Sequence, residues 1–98
     1  MVELNDNAAL RRFEMVVDGE TAFVNYAAEN DQLVLVHTEV PQALAGRRVG
    51  TALARAVLDE ARRRGQRVAP RCEFISAFIQ RHPEYSDLVA EPGPDGIR

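Results

Sequence analysis

Val40-Pro41-Gln42-Ala43-Leu44-Ala45-Gly46-Arg47-Arg48-Val49-Gly50-Thr51 is the stretch on which the fold turns. It is the point where the hydrophobic period changes. Before it, Leu33 to Val40 reads as the strongest strand in the chain, its unbroken apolar start indicating that both faces are covered. Pro41 ends that strand. After it, Val49, Leu53, Val57 and Ala61 recur every four residues, with Ala52 and Ala56 widening the stripe, which is one apolar face of a helix. Gly65 supplies the helix stop.

Working outward, Leu10 to Val17 alternates, with Phe13, Met15 and Val17 on one face and Arg12 and Glu14 on the other. Asp18-Gly19 is a tight-hairpin dipeptide. Thr21 to Ala28 alternates again, with Ala22, Val24 and Tyr26 opposite Thr21, Phe23 and Asn25, and Glu29-Asn30-Asp31-Gln32 is a polar turn. Downstream of the helix, Arg67-Val68-Ala69 is a short strand that the helical crossover makes parallel to Leu33–Val40. A second helix presents Phe74, Ile75, Phe78 and Ile79 and stops before Pro83. The order β-β-β-α-β-α, an antiparallel meander followed by a parallel crossover, defines an α+β protein with a mixed sheet.

The 98 residues are one domain's worth of chain, with a core over about 10–89 and a turn-rich, fraying tail at Glu91-Pro92-Gly93-Pro94-Asp95-Gly96. Hydrophobic residues at 46% and charged ones at 28% argue against disorder. The start, Met1 to Asp6, lacks the basic and apolar regions of a secretory signal, and no apolar run could cross a bilayer, so the chain reads as soluble and cytoplasmic. The single cysteine, Cys72, cannot make an intramolecular disulfide or a zinc site on cysteine ligands. Charge is segregated. Residues 1–44 carry a balance of −6, residues 45–71 carry +6, and residues 72–98 carry −3. A basic middle in an acidic frame suggests a local anion site more than a nucleic-acid surface. The Arg62-Arg63-Arg64 run could bind RNA, but it lies beside intrahelical acids in acid-first pairs, Asp59/Arg63 and Glu60/Arg64, and no aromatic residues interleave.

The opening segment also carries chemistry. The first turn of a helix has unpaired N–H groups at the positive end of its dipole, glycines let a phosphate approach that backbone, and Arg47 and Arg48 add charge. Two glycines alone would also fit an ordinary strand-to-helix loop, and no Gly-Lys-Ser/Thr follows to make a nucleotide P-loop.

The segment resembles the acyl-CoA motif of the GNAT N-acetyltransferase superfamily, a loop of the form Gln/Arg-x-x-Gly-x-Gly/Ala. His37-Thr38-Glu39-Val40-Pro41, the loop, Cys72-Glu73-Phe74 and His82-Pro83-Glu84-Tyr85 together resemble its subfamily of very small members over about residues 10–89. The resemblance implies acetyl-CoA or another acyl-CoA as co-substrate, with no metal and an amine of unknown identity as acceptor. It implies a pantetheine arm along Thr38, Glu39 and Val40, and pyrophosphate on the backbone of Gly46, Arg47, Arg48, Val49, Gly50 and Thr51. Ala45 stands where the superfamily has Gln or Arg, and Arg48 where it has the first glycine of the pair, while the Gly50 position is kept. The N-terminal strand and helices that usually wall the acceptor are expected to be missing from so short a chain.

Candidate catalytic groups are few. His37 and Glu39, two apart on one strand, share a face. Glu39 is the candidate base for the attacking amine, or a strand-end residue making a structural hydrogen bond. His37 reads as a partly buried, hydrogen-bonded histidine. Cys72, at a helix start beside Arg71, is a candidate nucleophile or acyl relay, with inert packing as the alternative. Many members of the superfamily place a tyrosine acid near the position of Phe78, which has no hydroxyl, and Tyr85 reads as a buried anchor. The expected activity is acetyl transfer to an amine by direct attack on the thioester. The alternatives are a CoA-binding module without catalysis and, more remotely, an RNA-binding domain.

Overall fold

The computed structural model describes residues 3–90. Met1, Val2 and the tail from Glu91, where fraying was expected, lie outside the described residues. Five strands form one sheet in chain order: β1 (Leu4–Asn7), β2 (Arg12–Val17), β3 (Glu20–Glu29), β4 (Gln32–Glu39) and β5 (Arg67–Pro70). The first four pair antiparallel, and β5 pairs parallel to β4. Helix α1 (Val49–Arg64) makes the crossover, α2 (Glu73–Arg81) follows β5, and 3-10 turns span Gln42–Leu44 and Pro83–Leu88. This is the expected α+β meander and crossover, with one strand more.

That strand, β1, corrects the sequence reading. Leu4-Asn5-Asp6-Asn7 is too polar to announce itself, yet it pairs with Arg12–Met15. An N-terminal strand is therefore present, joined to β2 by the turn Ala8–Arg11 rather than by helices. Leu10, expected in a strand, lies in that turn, where its N–H bonds to the Asn7 carbonyl and side chain, both at 3.2 Å. The hairpin residues do what their types allow. Asp18 and Gly19 take φ of 52° and 79° between the paired Val17 and Glu20, and Asn30 and Asp31 take 51° and 65° between Glu29 and Gln32.

Both helices pack on one face of the sheet. Phe13, Met15, Ala22, Val24, Leu33, Leu35 and Val68 from the strands share one buried cluster with Leu53, Val57 and Ala61 of α1 and Ile75, Phe78 and Ile79 of α2. The α1 stripe is widened by the buried Ala54 and Leu58, not by Ala52, which is exposed. A period of 3.6 rather than 4 rotates the apolar face toward Ala54 and Leu58. Gly65, at φ 70°, closes α1 with its N–H on the Ala61 and Arg62 carbonyls. The other sheet face carries Arg12, Glu14, Val16, Phe23 and Asn25.

β4 contains the irregularity that matters. Asn25 pairs with His37 but Tyr26 pairs with Leu35, so Val36 is an extra residue, a bulge. Simple alternation from Leu33 and Leu35 would send residues 37 and 39 toward the helices. The bulge reverses this: Thr38, opposite buried Val24, points to the helix side, while His37 and Glu39, opposite Asn25 and Phe23, point to the helix-free side. The apolar run is accordingly buried only through Leu35, and Val36 is half exposed.

Candidate active site

The site starts where β4 ends. Pro41 caps the 3-10 turn Gln42–Leu44, whose Leu44 anchors in the core. The chain then reverses through Gly46, at φ 79°. Arg48 follows at φ 59° and ψ 24°, a left-handed residue at the N-cap of α1 with no side-chain cap. Within the described backbone the amides of Ala45 and Arg47 are bonded to Gln42 and Leu44, whereas those of Gly46, Arg48, Val49, Gly50 and Thr51 find no backbone acceptor. The first turn of α1 holds no acidic residue. A cluster of unpaired N–H groups at the positive end of a helix dipole is suited to an anion such as a phosphate.

The arginines divide. Arg47 is bound to Asp18 of the β2–β3 hairpin at 2.6 Å. Arg48 has no ion pair among the described residues and stays available at the helix start. Further along α1, the acidic flanks of the sequence fold back onto the basic middle: Arg55 meets Glu84, Arg62 meets Asp87, and Arg64 meets Asp6. Glu60 takes both Arg63 and Arg64, and these hydrogen bonds hold its carboxyl down at about 2. The expected Asp59/Arg63 pair is not made. Asp59 instead accepts the Tyr85 hydroxyl at 2.7 Å, which also receives Arg55 at 3.2 Å. Burial, then the bond to Asp59, pushes the Tyr85 phenol up. Tyr85 is thus an anchor between α1 and the 3-10 turn after α2, as expected, and Phe78 is a core residue.

Beside the loop the sheet opens. β4 and β5 pair only through Leu35 and Pro70. Proline has no N–H to continue a ladder, and the Leu35 carbonyl takes the amides of both Arg71 and Cys72 at 3.0 Å. Beyond that point β4 is bonded to β3 alone, and its edge from Val36 onward faces a gap. On the helix side of the gap, Thr38 Oγ1 lies 3.1 Å from Cys72 Sγ. Cys72 is the N-cap of α2 and is buried. On the helix-free side, His37 Nε2 lies 3.1 Å from Glu39 Oε1. Both are well exposed, at 57% and 60% of their side chains, so His37 is not the partly buried histidine expected. It stands edge-on to Phe23, which Arg12 covers at 4.3 Å.

A pocket of about 280 Å³ lies between the end of β4 and the start of α1, lined by Val40, Leu44 to Gly46, Arg48 to Thr51, and Phe74. The fold brings together the cradle residues, Thr38 and Cys72, and sets Glu39 on the opposite side of the same strand end. Phe74 was read only as part of the apolar face of α2. Its place at the first turn of a helix, two residues after Cys72, was the available signal. Among the described residues no group of three or more His, Cys, Asp or Glu could hold a metal ion.

The architecture is an α+β mixed sheet whose β4 and β5 part beside a helix start with unpaired amides. Residues 12–88 match the family model described as GCN5-related N-acetyl-transferase. The match spans most of the chain, which belongs to that family. Its members in general use acetyl-CoA as donor and an amine as acceptor.

Proposed function

We propose that this protein transfers an acetyl group from acetyl-CoA to an amine, with the donor held between α1 and the open edge of β4. What carries the reading is the conjunction of the unpaired amides at Gly46 and Arg48–Thr51 with a strand edge left unpaired beyond Leu35. The amides and Arg48 take the pyrophosphate. The N–H and C=O groups of Thr38–Val40 that point away from β3 take the amide-bearing arm as another strand would. Glu39 then lies beside the thioester on the helix-free face, from which the amine approaches. The amine nitrogen attacks the thioester carbon, Glu39 takes the ammonium proton directly or through water, and the carbon–sulfur bond breaks. CoA leaves as a thiolate and is protonated.

A second reading rests on Cys72, whose sulfur borders the same gap beside Thr38. Its thiolate would take the acetyl group from CoA by thioester exchange, and the amine would then attack the acyl-cysteine. The experiment is to follow CoA thiol release from acetyl-CoA with a panel of primary amines, for the wild type, Glu39→Gln and Cys72→Ser. Direct transfer predicts release that depends on the amine, falls about 10²-fold or more in Glu39→Gln, and persists in Cys72→Ser. An acetyl adduct by mass spectrometry, lost in Cys72→Ser together with turnover, would establish the relay instead. CoA binding without amine-dependent release would make the protein a binding module.

A further inference from the structure

The pocket beside α1 has one wall to which the reading above gives no task. Phe74 lies in the first turn of α2, and unlike Ile75, Phe78 and Ile79 it is exposed, at 37%. Its ring rests against the N-terminal turn of α1. A Cβ built on Gly50 would stand 2.8 Å from the ring tip, Cζ, and 3.5 Å from each Cε. Gly50 has no left-handed backbone to explain a glycine there. The ring occupies the space that a side chain would need. Two residues earlier on the same turn, Cys72 borders the gap at Thr38. Phe74 lines the same pocket as Val40, at the end of β4, and the first turn of α1.

The pocket is two-sided as a result. Amides and Arg48 form its polar side, and Phe74, Val40 and Leu44 form its apolar side. A ligand with its anionic group on the amides and its far end at the Thr38–Cys72 gap has to run along the ring. We infer that Phe74 steers the thioester-bearing arm of the donor from the α1 amides into the gap, and that Gly50 is free of a side chain so that the ring can lie there. The inference rests on the donor site proposed above. Methylene groups laid on an aromatic face bury apolar area, and the ring fixes the direction of a chain that is otherwise free to rotate. The anion does not need the ring.

That difference sets the experiment. CoA and ADP, which keeps the diphosphate but lacks the arm, are titrated into the wild type, Phe74→Ala, Phe74→Leu, Gly50→Ala and the Gly50→Ala/Phe74→Ala double variant, with melting temperature recorded for each. The expected result is that Phe74→Ala weakens CoA about tenfold, leaves ADP unchanged and leaves melting near the wild-type value. Gly50→Ala displaces the flexible ring and gives the same pattern, and the double variant is no worse than Phe74→Ala alone. Phe74→Leu falls between and serves if the alanine variant does not fold. Equal losses for CoA and ADP, or no loss of CoA affinity, would overturn the role of Phe74. Additive losses in the double variant would show that Gly50 acts on the anion directly and would overturn its coupling to the ring. A wild type that binds neither molecule would overturn the donor site itself, and the steering role with it.

Discussion

Arg48 is the residue at which the sequence strains most visibly against its fold. A non-glycine residue in the left-handed region costs about 1–2 kcal/mol, and here the position is the N-cap of α1 with no capping side chain in return. A glycine would take this geometry without strain. It also leaves an unpaired guanidinium beside unpaired amides, a compensation that is useful only when an anion is bound. Arg48→Gly should raise unfolding free energy by about 0.5–1 kcal/mol, since glycine gives back part of the gain in the unfolded chain. The same variant should weaken CoA binding severalfold. Urea denaturation and calorimetric titration check the two halves, and a variant both less stable and equally tight would refute the trade. Gly50 carried a different lesson. The loop motif marks it as a close approach to the ligand, whereas the Phe74 ring stands against it in the fold, a contact that no local pattern encodes because Phe74 lies 24 positions further along the chain.

At the scale of elements, β4 and α1 carry the account. The hairpins, the crossover helix and its glycine stop are legible because turn residues and periodicity act locally: Asp18-Gly19, Asn30-Asp31 and Gly65 each sit at positive φ where their types predict. The bulge was not legible, since Leu33 to Val36 reads as one apolar run and nothing in it marks Val36 as unpaired. β1 was missed because only Leu4 of its four residues packs toward the core. The bulge gives a direct test. Val36→Lys should change stability by no more than about 0.5 kcal/mol, whereas Val34→Lys, between Ala27 and Ala69, should cost several kcal/mol by burying a charge. Equal costs in denaturant titrations would place Val36 in a regular strand and return His37 and Glu39 to the helix side. In α1, Glu60 is lowered from its usual 4.5 to about 2 by Arg63 and Arg64. A carboxyl with a depressed folded value adds stability that is fully present above its unfolded value and lost as pH falls through the folded one. Stability should therefore decline from about pH 4.5 toward pH 2, and Glu60→Gln should flatten that part of the curve. A variant with the wild-type slope would show that Glu60 gains nothing from the pair.

For the whole molecule, the charge segregation of the sequence was a sound guide to where the pieces meet and a coarse one to function. Four of the eight arginines in the basic middle pair with the acidic flanks once the chain folds, and what remains at the loop is Arg48 beside the α1 amides. Helices cover one sheet face and leave the other to His37, Glu39 and Phe23, so the donor and the amine would meet from opposite sides of one opened sheet. The central claim is that the donor lies between α1 and the free edge of β4. It is tested most directly by titrating acetyl-CoA into isotope-labelled protein and following every backbone amide. The account predicts the largest shifts at Gly46 to Thr51 and at Thr38 to Val40, with His37 and the strands β1 and β2 less affected. Largest shifts on the outer face of α2 or along Arg62–Arg64, with the loop unmoved, would contradict it.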